Sequence, residues 1–197
     1  MKAKKIIMGI DPGTNVTGYG VIEISGNAAK CVVLGVIDIN KVDDPYQKLR
    51  YIFERVCGLI EEYGPDEVAL ESPFFGKNVQ SMLKLGRAQG VAMAAALSKG
   101  VPVSEYAPKR VKQAITGRGA ASKEQVAALL KNILHLDELP RRLDATDGLA
   151  VAMCHFFESS HASLIDKSQR KKALGAGINS GKSWKDFISA NPGRVKK

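Results

Sequence analysis

The chain has 197 residues, a formal net charge of +9 and 45% hydrophobic residues, enough to build one folded domain with an appendage and too apolar for a disordered chain. No apolar run approaches the ~20 residues that span a bilayer. Cys31, Cys57 and Cys154 are odd in number and lack CxxC spacing, which argues against a disulfide framework or a zinc site.

The chain opens on "MKAKK" and a short apolar run, residues 5–10, that stops at Asp11. The run is too short for a signal peptide, so the protein reads as cytoplasmic, with no membrane partner. It reads instead as a buried strand, broken at once by Pro12-Gly13. Residues 17–24 and 30–39 read as two more strands around the turn "SGN", an antiparallel meander. "VDDPYQKLRYIFERVCGLIEEYG" reads as a helix, capped by Asp43 or Asp44, with Pro45 in its first turn and a stop at Gly64. "DEVALES" is a short strand ending at Glu71. "NVQSMLKLGRAQGVAMAAALSKG" is a helix with a small-residue face, and "VPVSEY" is a fifth strand. Shorter helices follow near 108–116 and 122–134, and "LDATDGLAVAMCHFF" reads as a helix opening at Asp144. Strands separated by helices pair in parallel, so the order predicts an α/β fold: a mixed five-stranded sheet with helices on both faces.

After about residue 160 the apolar pattern is lost. Residues 160–197 form a basic, Gly/Ser/Lys-rich tail, expected to be flexible, with one weak apolar element at Trp184 and Phe187. They hold nine Lys/Arg against two Asp, or +7, which leaves +2 for residues 1–159. Within that body, residues 74–123 carry nine Lys/Arg and a single acid, Glu105, so one stretch is basic and the rest net acidic. Such a stretch suits a polyanionic partner, although a solvated basic face has the same composition.

Four acids stand at element ends. Asp11 ends the first strand and Glu71 the fourth, and sites in α/β sheets form where neighbouring strands end. Asp144 and Asp147, three apart, share one helix face, about 5–6 Å apart at Cβ. Singly, each has an ordinary reading: Asp11 as a turn former, Glu71 as a strand-end charge, Asp144 as a cap and Asp147 as a dipole partner. Together they form a hard-oxygen donor set without His or Cys, suited to Mg²⁺ or Mn²⁺. Two such ions serve phosphodiester hydrolysis, and the basic stretch would hold the polyanion.

Four blocks carry a resemblance: "GIDPGTNVTGYGVIE", "ALESPFFGKNVQSMLKLGRAQG", "EYAPKRVKQAITGRGAASKEQV" and "DATDGLAVAMCH". In this order and at these intervals, from about residue 5 to 157, the sequence resembles the RuvC family of bacterial Holliday junction resolvases. The resemblance implies an RNase H-like resolvase domain over 1–159, and says nothing of the tail at 160–197. It implies that Asp11, Glu71, Asp144 and Asp147 are catalytic and hold two Mg²⁺ per active site, with Mn²⁺ able to substitute. It places Phe74, Lys77, Asn78, Lys112 and Lys123 toward the DNA, with Phe74 matching an aromatic wedge and Phe75 beside it. It implies paired cuts in four-way junction DNA during recombination and repair, by a homodimer that works with the RuvA–RuvB branch-migration complex. One position departs: Gln89 stands where the family more often has Arg, so Arg87 and Gln89 are left out of the site.

The residues support several of these roles independently. Phe74 and Phe75 follow a Pro outside any apolar period, and exposed aromatics stack on bases or wedge between base steps. Leu83, Gly86, Gly90, Ala94 and Leu97 recur at helical spacing and suit a twofold interface, or burial against the chain's own sheet. The Pro-Gly break after Asp11 is expected to clear space for a phosphate. Competing readings are an actin-like ATPase, for which the chain is short of a second lobe and phosphate loop; a junction binder without catalysis; and a nuclease of RNA–DNA hybrids.

Overall fold

The computed structural model describes residues 4–73 and 78–175, the stretch 161–175 as helical backbone only. The chain divides into two units, Met1–Ser160 and His161–Lys197. The first contains β1 (Lys4–Asp11), β2 (Val16–Ser25), β3 (Ala28–Asp38), α1 (Pro45–Tyr63), β4 (Glu67–Glu71), α2 (Val79–Ser98), β5 (Val103–Tyr106), α3 (Pro108–Thr116), α4 (Lys123–Leu134) and the start of α5 (Asp144–Gly175). α5 does not stop where the apolar pattern stops; its backbone stays helical into the second unit. Trp184 and Phe187 lie outside the described residues.

The sheet order is β3-β2-β1-β4-β5. β1 pairs antiparallel with β2 and parallel with β4, and β4 pairs parallel with β5. The central strand is therefore β1, whose interior Ile7 to Ile10 is buried on both faces. Ile10 pairs with Leu70, so the next residue on each strand, Asp11 and Glu71, emerges at the same end of adjacent parallel strands.

Two cores cover the two faces. Met8, Ile10, Val21, Val68 and Leu70 pack against α1 and α2, which contribute Ile52, Val56, Ala88 and Ala92. Ile7, Ile22 and Ala69 pack against α3, α4 and α5 through Val111, Leu130, Leu149 and Met153. Each large aliphatic side chain so buried contributes ~1.5–3 kcal/mol. α1 begins where its sequence dictates: the Asp44 side chain accepts from the Tyr46 and Gln47 N–H groups, Pro45 follows, and Gly64 ends the helix with φ of 54°. α4 opens with a capping box between Ser122 and Gln125.

α5 lies unusually close to the sheet. A Cβ on Gly18 would stand 1.8 Å from the Asp144 carbonyl oxygen, and one on Gly9 would stand 2.2 Å from the Gly148 carbonyl oxygen. The glycines let helix backbone rest on strand backbone, which brings the first turn of α5 down to the strand ends.

Candidate active site

The two strand-end acids and the two acids of α5 form one electrostatic cluster. Asp11 is raised to about 7, first by burial and then by Asp147, with Lys123 opposing and Asp144 adding. Glu71 is raised to about 8, first by burial, then by Asp11 and Asp147, with Lys123 and Lys112 opposing. Asp147 is also raised, chiefly by burial, against the hydrogen bond from Lys123. Burial and neighbouring carboxylates thus act together on Asp11, Glu71 and Asp147, and like charges brought together in a poorly solvated place favour the protonated form.

Lys123, the first residue of α4, is the cation at the centre. Its ammonium donates a hydrogen bond to Asp147 and stands 3.6 Å from Asp144. Among the described residues, no three His, Cys, Asp or Glu side chains converge at metal-ligand distance as they stand. The chemistry of the donor set nevertheless fits a hard divalent cation: the acids supply only carboxylate oxygens, and their mutual repulsion needs more positive charge than Lys123 brings.

The start of α5 is held by backbone rather than by the Asp144 side chain. The first N–H groups of α5 are satisfied by the backbone, Ala145 donating to the Arg142 carbonyl and Thr146 and Asp147 to that of Leu143. Arg142 in turn pairs with Asp38 at 2.7 Å, tying the loop before α5 to the end of β3. Farther along α5, the buried His155 bonds to Glu67 at 2.5 Å and Tyr106 at 2.7 Å, and Lys5 pairs with Glu67 at 2.6 Å. A carboxylate can only accept, so Nε2 carries the proton; in the neutral ring Nδ1 accepts from the Tyr106 hydroxyl. This chain clamps α5 to β4 and β5 beyond the acids.

The other expected residues fare differently. Lys112 acts on Glu71 and Asp147 through its charge. The Asn78 side chain is engaged as the N-cap of α2, accepting from the Ser81 N–H at 3.1 Å. Phe74, Phe75 and Lys77 lie outside the described residues. At the Pro12-Gly13 break the turn itself requires glycine: a Cβ on Gly13 would stand 1.9 Å from the Val16 carbonyl oxygen. Gln89, set aside in the sequence reading, is buried, lines the cleft that contains Asp11 and Glu71, and donates to Glu105. Its signal was a polar residue on the alanine-rich buried face of α2. Gly18 and Gly148 were also missed, because only the approach of α5 gives them meaning.

Against known proteins, the family model described as crossover junction endodeoxyribonuclease RuvC matches residues 7–155. The chain belongs to the RuvC family. Among RuvC proteins it is 52% identical to that of Porphyromonas gingivalis over 195 residues, covering 98% of each chain. It is 56% identical to that of Cytophaga hutchinsonii over 192 residues, 98% of this chain and 88% of that one. The solved structure of Thermus thermophilus RuvC with a Holliday junction substrate superimposes with a TM-score of 0.74 at 34% identity, covering 80% of this chain and 96% of that one. A yeast mitochondrial Holliday junction resolvase shares the fold, with a TM-score of 0.59 at 12% identity. RuvC proteins are metal-dependent nucleases that resolve Holliday junctions, and this chain is an endonuclease of that class. No helix among the described residues is long and apolar enough to cross a membrane.

Proposed function

We propose that this chain cuts four-way junction DNA at paired sites by phosphodiester hydrolysis, with Asp11, Glu71, Asp144 and Asp147 as its catalytic acids. The observation that supports this reading is the gathering of carboxylates at the β1 and β4 ends and the first turn of α5, where Asp147 and Asp144 raise Asp11, and Asp11 and Asp147 raise Glu71. The same four residues would hold two Mg²⁺ ions, for which Mn²⁺ would substitute. When bound, such ions stabilise charge on the transferring phosphate and lower the pKa of water. The protein residues then do the rest. Asp11 and Glu71 must shed the protons that their crowding retains, and Lys123 and Lys112 offer positive charge to the phosphate. Phe74, Lys77 and Asn78 would contact the DNA, with Phe74 wedging at the crossover.

A homodimer would place two such centres on strands of like polarity. What supports it is the outward stripe of α2. Val79 and Leu83 are 64% and 57% exposed, and a Cβ on Gly86 or Gly90 would meet nothing within 4 Å. Each glycine inside a helix costs ~1 kcal/mol relative to alanine. No packing among the described residues asks for either one, whereas close approach of a second α2 would. Work with a RuvA–RuvB branch-migration complex and a cytoplasmic site of action complete the reading.

The test is cleavage of a synthetic four-way junction, with linear duplex and an RNA–DNA hybrid alongside. Paired nicks in the junction alone, abolished by EDTA and by Asp11→Asn while binding persists, are expected. Binding without cleavage by the wild type in Mg²⁺ or Mn²⁺ would leave a structural junction binder. Cutting of the hybrid instead would overturn the substrate.

A further inference from the structure

Beside the acid cleft lies a larger one, about 510 Å³, within the usual range of ~300–1,000 Å³ for small-molecule sites. Leu85 lines both clefts, and the turn carrying Thr14 and Asn15 continues directly from Asp11. The larger cleft therefore extends the catalytic one. Its far wall is the first turns of α1, and its near wall is the N-terminal half of α2.

The lining has two kinds of chemistry. Lys48, Lys84 and Arg87 open into it, and none of the three pairs with an acid among the described residues; Asp43 is the single acid in the described lining. Beneath them the surface is apolar, with Leu49 and Ile52, and Tyr46 stands at the rim, 75% exposed. Cations above an apolar floor with an aromatic edge match a nucleotide, whose phosphates want charge and whose base wants a flat apolar contact. Ser81, Lys84 and Ala88 lie on the side of α2 opposite the Leu83, Gly86 and Gly90 stripe, given 3.6 residues per turn. A second subunit on that stripe leaves the cleft open.

We propose that this cleft is a subsite for one nucleotide of the cleaved strand, adjoining the scissile phosphate, and that it sets the preference for the sequence at the cut. The base rests on Tyr46 and Leu49, the flanking phosphates meet Lys48, Lys84 and Arg87, and the Asn15 amide and the Thr14 and Ser81 hydroxyls read the base edge. This rests on the junction-cutting reading above and deepens it.

The experiment uses the full-length protein on four-way junctions randomised around the cut, with cleaved products sequenced. The variants are Asn15→Ala, Ser81→Phe, which fills the cleft from an exposed position, and Lys84→Ala/Arg87→Ala. Wild type is expected to show a base preference at one position flanking the cut. Asn15→Ala and Ser81→Phe should flatten it by roughly tenfold, and the double variant should weaken binding to all sequences and reduce its salt slope by about two. Unchanged preference in both cleft variants, with cutting either retained or lost equally at every sequence, would overturn the proposal. A parallel arm places 2-aminopurine at the flanking nucleotides of a junction bound by the Asp11→Asn protein. A fluorescence change there, abolished by adding Ser81→Phe, supports the subsite, and its absence at every flanking position refutes it. Because this arm needs no cleavage, a wild type that binds but does not cut would count against the enzymatic reading alone.

Discussion

Replacing Asp11 with Asn should stabilise the metal-free protein at alkaline pH. The Asp11 carboxyl is raised from 3.8 to about 7, mainly by burial and then by the charge on Asp147. A folded-state value above the unfolded one means the folded protein holds the proton more tightly. Stability from this group is thus complete below pH ~4 and is lost as the pH rises through about 7. The rise from 3.8 to about 7, at ~1.4 kcal/mol per pH unit, corresponds to about 4 kcal/mol at most. The Asn amide keeps part of the burial cost, which leaves a net gain of ~1–3 kcal/mol. At ~2–4 °C per kcal/mol for a chain of this size, Tm should rise by about 2–12 °C. Thermal melts in EDTA at pH 8.5 and pH 5 measure this: the variant should melt higher at pH 8.5, and the gap should close at pH 5. Mg²⁺ at pH 8.5 should raise the wild type more than the variant. A variant that melts at or below wild type at pH 8.5 in EDTA would refute the reasoning.

Gly18→Ala should cost about 3 kcal/mol or more in urea unfolding and abolish junction cleavage, because its Cβ would stand 1.8 Å from the Asp144 carbonyl oxygen. Gly90→Ala, whose Cβ meets nothing within 4 Å, should leave the monomer up to ~1 kcal/mol more stable. Sedimentation should show it weakening self-association, and an unchanged dimer would remove α2 as the interface. The Cys154 thiol is raised to about 12, chiefly by burial. It should resist aromatic disulfide reagents at pH 8 in the native protein and react once the chain is unfolded in denaturant.

The element order and the pairing of Asp11 with Glu71 were legible because they follow from local patterns: apolar runs ending in carboxylates, caps at Asp44 and Gly64, and parallel pairing across α1. The acid pair on α5 was legible from its spacing. What could not be read was anything set by the approach of two distant segments. Gly18 and Gly148 look like ordinary strand and helix residues until α5 rests on β2. Gln89 looked like a departure from a pattern, and only the packing of α2 turns it into a buried lining of the acid cleft. The end of α5 was misjudged for the opposite reason: the apolar period stops near residue 160, but a helix backbone does not need a buried face to continue.

Two placements that look wrong singly explain each other. Lys123 opens α4, where the helix dipole disfavours a cation, and Asp147 sits in a cluster of like charges. Set together, the lysine answers the acids, and the acids of α5 gain from the positive end of their own helix. Asp11 and Glu71 have no helix N-terminus of their own, since they end strands, and they are raised to about 7 and about 8. The strand-end pair therefore holds its protons into the neutral range at a cost to the charged form. It is also the pair that a divalent cation would relieve most. Cation binding must displace the protons these two retain, so affinity for Mg²⁺ should strengthen as the pH rises from 6 to 9, and calorimetric titration should show proton release that shrinks across that range.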